Sequence, residues 1–330
     1  MATQATVDRG LPTLCEVFDP ARMAEHLERT LPERCHALRD VDFHVLKHHP
    51  QRRCTFEIEL TTPRERSSLI GKVYASDRSD VYRAMERIAR SGFGPEDECS
   101  IPEPLAYLPE LHLLLQEKVA GRRAKLVFLD ERADVTEPSA RAAKWLARFH
   151  ATAPRAGRTT HVTDHVVAVE RWSQRIARLG EPLRGQARRL AQWLTEEAVV
   201  EQSDDVCAGH GSYHCHQIIL APRRTVTVDW DGYDVAHPSR DVARFVVQLQ
   251  RLAVKYFGSI RALDPAVDVF LRTYRAHSPY DVSANLAWYR ALTCLRLAKY
   301  EANRPVCTFP QGIAALLREG LHVLEEGGTS

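Results

Sequence analysis

The feature that most constrains how this chain can fold is a change of hydrophobic period near Gly121. Upstream, Cys54, Phe56, Ile58 and Leu60 alternate with Thr55, Glu57 and Glu59. That two-residue period sets one face of a strand against a core and the other towards water. Further extended stretches run over 43–47, 68–74, 104–107 and 112–117. Between the third and fourth of the five, the spacing of Val81, Met85, Ile88 and Ala89 is helical, and Gly92 and Gly94 close it. An earlier short helix opens at Asp19-Pro20, an N-cap with proline at the first helical position, and runs through Met23, Leu27 and Leu31 to Pro32. Downstream of Gly121 the period is helical over 138–150, 166–179, 183–198, 239–256, 265–276 and 282–302, with a last helix through Leu316 and Leu321. Only a hairpin at 218–229 interrupts it. The pattern predicts an α+β chain: a small antiparallel sheet with one main helix, then a larger, mostly helical part.

A chain of 330 residues with 44% hydrophobic content can bury the core that such a two-part molecule needs. Its formal charge of +2 gives no broad basic field to hold nucleic acid or an anionic membrane surface. No apolar run reaches the roughly 18 residues of a membrane span, and MATQATVDRG lacks a basic segment followed by an apolar one, so the expected location is cytoplasmic. Eight cysteines scattered from Cys15 to Cys307, with no C-x-x-C pair, predict reduced thiols.

Chemistry concentrates in HGSYHCHQIILAPRRTVTVDWD, from His210 to Asp231. A histidine-rich loop enters an apolar strand, turns at Pro222, and returns on a strand that delivers Asp229 and Asp231. A carboxylate is the ligand a hard divalent ion prefers, and the amide oxygen of Gln217 can join it. Ser212 and Gln217 are five residues apart, the separation of base and metal ligand in kinase catalytic loops.

This segment resembles the aminoglycoside phosphotransferase and choline kinase family, whose loop H-G-D-x-H-x-x-N is followed by I-D-[WF]-[DE]. Ser212 stands where the family has its catalytic aspartate, and Gln217 where it has asparagine. The resemblance implies a protein-kinase-like two-lobed fold. Residues 1–18 would be a polar tail, 19–115 the N-lobe, 116–121 the hinge, and 122–330 a helical C-lobe with catalytic loop and acceptor pocket. It also implies ATP bound between the lobes with Mg²⁺, and a small hydroxylated acceptor: a sugar, an amino alcohol or an antibiotic-like molecule.

Under that resemblance Lys72, in LIGKVY, contacts the nucleotide phosphates and is oriented by Glu86 on the next helix, with Asp80 as second choice. The competing reading is an ordinary edge-strand lysine. The loop KHHPQRRC has no glycine cradle, so Arg52 and Arg53 would supply charge to a phosphate, or else form a solvated basic turn. LLLQEKVAG resembles the adenine hinge, at Glu117 and Val119. Asp229 and Gln217 are the implied metal ligands. A serine hydroxyl cannot accept a proton as a carboxylate does, so Ser212 forfeits base assistance typically worth about 10²–10⁴ in rate. His214 and Asp231 are the nearest substitutes. His210 is implied as a packed brace, and Asp241, in HPSRDVARF, as the acceptor of catalytic-loop amides.

A rival reading of Cys207, His210, His214, Cys215 and His216 is structural zinc, but His237 has no companion to complete a second ligand pair. Two other functional classes stand beside the phosphotransferase: a pseudokinase-type nucleotide-binding or regulatory protein, and an unrelated helical protein with a chance match. The helix AWYRALTCLRLAKYEANR offers Arg290, Arg296 and Lys299; if it lines the acceptor pocket, an anionic or neutral substrate fits better than a cationic one.

Overall fold

The structure, a computed structural model, describes residues 8–199, 205–304 and 309–327. The start of the expected N-terminal tail, Met1–Val7, and Cys307 lie outside them. The chain divides into two compact units: residues up to Ala120 together with Val226–Trp230, and Gly121–Thr225 together with the chain from Asp231 onward.

The first unit opens with helices α1 (Leu14–Val17) and α2 (Pro20–Thr30). The Asp19 carboxylate caps α2 by accepting from the N–H groups of Ala21 and Arg22. Strands β1 (Asp40–His49), β2 (Arg53–Thr61) and β3 (Arg66–Tyr74) precede helix α3 (Ser79–Ile88), which ends in a turn where Gly92 takes φ 95°. Short β4 (Cys99–Ser100), β5 (Pro104–Leu108) and β6 (Leu113–Glu117) follow. The five long strands make one antiparallel sheet in the order β1-β2-β3-β6-β5.

The β2 alternation does what its period dictates: Cys54, Phe56, Ile58 and Leu60 are buried. Phe56 packs with Phe18 and Phe43 at ring-centroid distances of 4.9 and 6.1 Å. Burying such a ring contributes roughly 1.5–3 kcal/mol. Gly71 lies opposite Phe56 in the β2–β3 register, and a Cβ there would come within 2.5 Å of the ring. The opposite face is not simply wet, because Glu57 is also buried and forms an ion pair with Lys118. Part of the segment read as a polar tail also folds: Leu11, Leu14 and Val17 join the same core. Their short apolar spacing is easily lost among the polar residues of the segment.

In the second unit β7 (Arg122–Arg123) leads to α4 (Ala124–Phe128), α5 (Thr136–Thr152), β8 (Thr159–Thr160), α6 (Val162–Ala177) and α7 (Leu183–Glu196). The middle of the chain supplies β9 (Cys207–Gly209), β10 (Ile218–Leu220) and β12 (Asp234–Ala236), with β11 (Thr225–Thr227) passing into the first unit at Val226. Helices α8 (Ser239–Phe257), α9 (Asp264–His277), α10 (Ser283–Ala302) and α11 (Pro310–Gly327) finish it. β12 runs parallel to β8 and antiparallel to β9. α5 buries Ala142, Trp145, Leu146 and Phe149, and Trp145 stacks on Phe149 and Tyr213 at 5.0 and 5.6 Å. Arg141 on α5 donates to the carbonyls of Ala221 and Arg224, which fastens the turn of the hairpin. The antiparallel-sheet region followed by a helical region is the α+β arrangement that the hydrophobic periods predict. Among the described residues no helix is long and apolar enough to cross a membrane.

Candidate active site

In the first unit β3 carries Lys72 inward, 8% exposed, and its Nζ donates to Asp229 Oδ1 at 2.8 Å. Arg53, at the start of β2, places Nη1 3.8 Å from the same oxygen. Asp229 itself takes φ 72°, a left-handed conformation uncommon outside glycine, though less so for aspartate. Holding a residue there costs on the order of 1–3 kcal/mol and is found where surrounding structure fixes a functional geometry.

The expected Lys72–Glu86 pair is not what the structure holds. Glu86 points along its own helix, to Arg90 one turn on at 2.9 Å and to Tyr82 one turn back, while Lys72 takes Asp229 instead. Asp80 is engaged by Arg78 Nε at 3.0 Å. Of the two loop arginines, Arg53 faces Asp229 and Arg52 is exposed. At the proposed hinge Glu117 exchanges hydrogen bonds with Glu103, its N–H donating to the Glu103 carbonyl at 2.9 Å and its carboxylate accepting from the Glu103 N–H at 3.1 Å. Val119 is half-buried just beyond.

In the second unit the loop leaves β9 and bends over Asp241, which sits in the first turn of α8. Its carboxylate accepts from the N–H of His210 at 2.7 Å and of Gly211 at 3.1 Å. Gly211 has φ 75°, and a Cβ there would overlap the carbonyl oxygen of Gly232, so the bend requires glycine twice over. Burial opposes the charge on Asp241, but Arg240, His150 and His210 outweigh it and hold the carboxyl well below the usual range. His150 Nε2 lies 3.7 Å from Asp241, and its Nδ1 bonds the Tyr274 hydroxyl at 2.7 Å. Burial pushes the His150 imidazole down, towards neutrality. Arg240 grips Asp234 with two bonds, at 2.7 and 2.5 Å.

Ser212 Oγ lies 3.4 Å from His210 Nδ1, and its N–H donates to that nitrogen at 3.3 Å. His214 Nδ1 caps its own short turn by accepting from the His216 N–H at 3.3 Å. Gln217 ends that turn, its N–H donating to the His214 carbonyl at 2.8 Å. Asp231 sits in the single helical turn Trp230–Gly232. Burial pushes the Cys215 thiol up to about 12 and raises Cys207 as well. Among the described residues no three His, Cys, Asp or Glu side chains converge as metal ligands.

The sequence profile of the phosphotransferase enzyme family APH matches residues 55–292, most of the chain. The chain belongs to this family. Three solved structures of this kinase group share its fold. A choline/ethanolamine kinase family protein from Mesorhizobium loti is 14% identical, with TM-score 0.58 over 92% of this chain and 95% of that one. Spectinomycin phosphotransferase, in complex with ADP and spectinomycin, is 10% identical, with TM-score 0.61 over 93% and 99%. Choline kinase from Cryptosporidium parvum Iowa II is 10% identical, with TM-score 0.61 over 92% and 95%. No curated protein sequence matches the chain. Membership of the phosphotransferase family, on this kinase fold, supports a small-molecule phosphotransferase.

Four residues of this phosphotransferase-family chain escape the sequence reading: His150 behind Asp241, Arg240 on Asp234, and Arg244 and His165 nearby. His150 carries a faint signal, as the residue after Phe149 on an apolar helix face. Arg244 carries another, an arginine among Val242, Ala243 and Phe245 on a buried helix.

Proposed function

We propose that this family member transfers the γ-phosphate of ATP to a hydroxyl group of a small acceptor, a sugar, an amino alcohol or an antibiotic-like molecule. The observation that carries this is the Lys72–Asp229 pair at 2.8 Å, a buried phosphate-type lysine fixed to the carboxylate that opens VDWDGY. The ADP held by the spectinomycin phosphotransferase relative supports ATP as donor. Lys72 and Arg53 bind phosphate oxygens. Asp229 is a hard oxygen ligand that fits Mg²⁺, and Gln217 is assigned as the amide ligand by its place in the loop. The ion would neutralise charge on the transferring phosphates.

Ser212 positions the acceptor hydroxyl by hydrogen bonding and does not remove its proton, which passes to an oxygen of the transferred phosphoryl group and from there to solvent. Transfer then rests on positioning and electrostatics, which carry most of phosphoryl-transfer catalysis. A second reading, nucleotide binding without transfer, draws on the same serine. The deciding experiment is Mg²⁺-dependent ATP consumption across a panel of sugars, amino alcohols and aminoglycosides, in wild type and Lys72→Met. Consumption that needs one acceptor and disappears in the variant upholds the kinase. ATP binding with no consumption across the panel upholds the second reading.

A further inference from the structure

Inside the second unit Arg240 pairs with Asp234, Arg251 with Glu301, and Arg290 with Glu319. Arg244 has no such partner among the described residues. It lies on α8 three residues after Asp241, and its Nε and Nη1 are sealed from solvent with no hydrogen-bond partner. Buried guanidinium groups are ordinarily paired, because an unpaired one keeps the full loss of its hydration.

The neighbours of Arg244 add positive charge and do not cancel it. Arg296 and Lys299, three residues apart on one face of α10, also form no ion pair among the described residues. They lie over aromatic rings: Lys299 Nζ is 3.6 Å from the Tyr300 centroid and 5.5 Å from that of Trp172 on α6, and Arg296 is 6.0 Å from Tyr300.

The field of this group is visible in its surroundings. Burial, then Arg296, lowers Arg244 to about 9. Burial would raise the Tyr300 phenol, but Arg296, Lys299 and Arg244 bring it down. Burial, then Arg240 and Arg296, lowers His165 to about 4, so its imidazole is neutral, and its Nε2 is likewise buried without a partner.

We propose that Arg244, Arg296 and Lys299, with His165 and Trp172, form a binding site for the phosphate or carboxylate group of a small molecule, and that this molecule is the acceptor. The identification as acceptor rests on the phosphotransferase reading. Its structural ground is that α8 holds the catalytic loop through Asp241 and presents Arg244 one turn further on. An anion supplies the missing counter-charge to three cations at once, and the two aromatic rings offer apolar contact to its body. Cationic acceptors are disfavoured by the same charges.

The test is calorimetric titration of the full chain with gluconate, glucose 6-phosphate and neutral glucose, in wild type, Arg244→Met, Arg296→Gln and Lys72→Met. The expected result is binding of an anionic sugar but not of glucose, weakened at least about ten-fold by Arg244→Met or Arg296→Gln and retained by Lys72→Met. Gluconate against glucose 6-phosphate tells carboxylate from phosphate. Arg244→Met should also raise the melting temperature, because it removes a partly buried charge that has no counter-ion, whereas a structural arginine would lower it when lost. No binding of either anion, or binding lost only in Lys72→Met, overturns the proposal. Anion binding without any phosphoryl transfer leaves the anion site standing and removes the kinase reading; transfer to a neutral or cationic acceptor with no anion bound removes the site and leaves the kinase.

Discussion

Under the proposed function, Ser212 is the side chain that sets the rate of transfer. Its hydroxyl sits beside His210, 3.4 Å from Nδ1, and has no charge to draw a proton. Restoring the carboxylate with Ser212→Asp should therefore raise kcat by about 10²–10⁴ with an accepted substrate, as steady-state kinetics would show. An unchanged or lower kcat would mean that the loop has committed to another chemistry. Asp241 has the opposite character. It is a buried charge that receives two loop amides and lies beside Arg240 and His150. Asp241→Asn leaves Arg240 less compensated and should destabilise the chain by about 3–5 kcal/mol in urea unfolding. At position 211, φ 75° and the Gly232 carbonyl both forbid a side chain, so Gly211→Ala should abolish transfer while nucleotide binding survives.

His165 on α6 and His150 on α5 should make the second unit sensitive to mild acid. His165 on α6 has a folded value near 4 against an ordinary 6.5, so as pH falls the unfolded chain takes up its proton first. The stability this residue preserves is complete above pH 6.5 and declines towards pH 4, by about 3 kcal/mol for a shift of that size. His150 on α5 shifts in the same direction. Asp241 contributes nothing to that window, because its carboxyl titrates below the ordinary 3.8 and its stabilisation is lost only in stronger acid. His165→Phe should flatten the stability profile between pH 6.5 and 4; an unaltered slope in urea titrations would contradict the assignment.

These elements also show what the sequence makes legible. The β2 alternation and the apolar face of α5 are strong periodic signals, and both elements form where those signals lie. β8, β9 and β12 span two or three residues each, too few for any period, and exist because β12 pairs with both neighbours. Lys72 and Asp229 could be named from motif position, but their direct pairing could not. That Glu86 contacts Arg90 and Tyr82 and not Lys72 is not legible, because sequence gives a helix face and not the competing reach of those two side chains. Arg244 is hidden in the sequence because a charge without a counter-ion is defined by what surrounds it.

At the scale of the whole molecule, the residues proposed for phosphate, metal or loop from Lys72 to Asp241 fall inside the family match at 55–292, and Arg53 lies just before it. The family match thus reaches into both units. The central claim is that a nucleotide with Mg²⁺ binds through Asp229. Calorimetric titration of wild type and Asp229→Ala with ATP, with and without Mg²⁺, tests it most directly. Binding that Mg²⁺ strengthens in wild type, with that strengthening abolished in Asp229→Ala, is the predicted result. No ATP binding by the wild type, or equal Mg²⁺-dependent binding by both proteins, would contradict it.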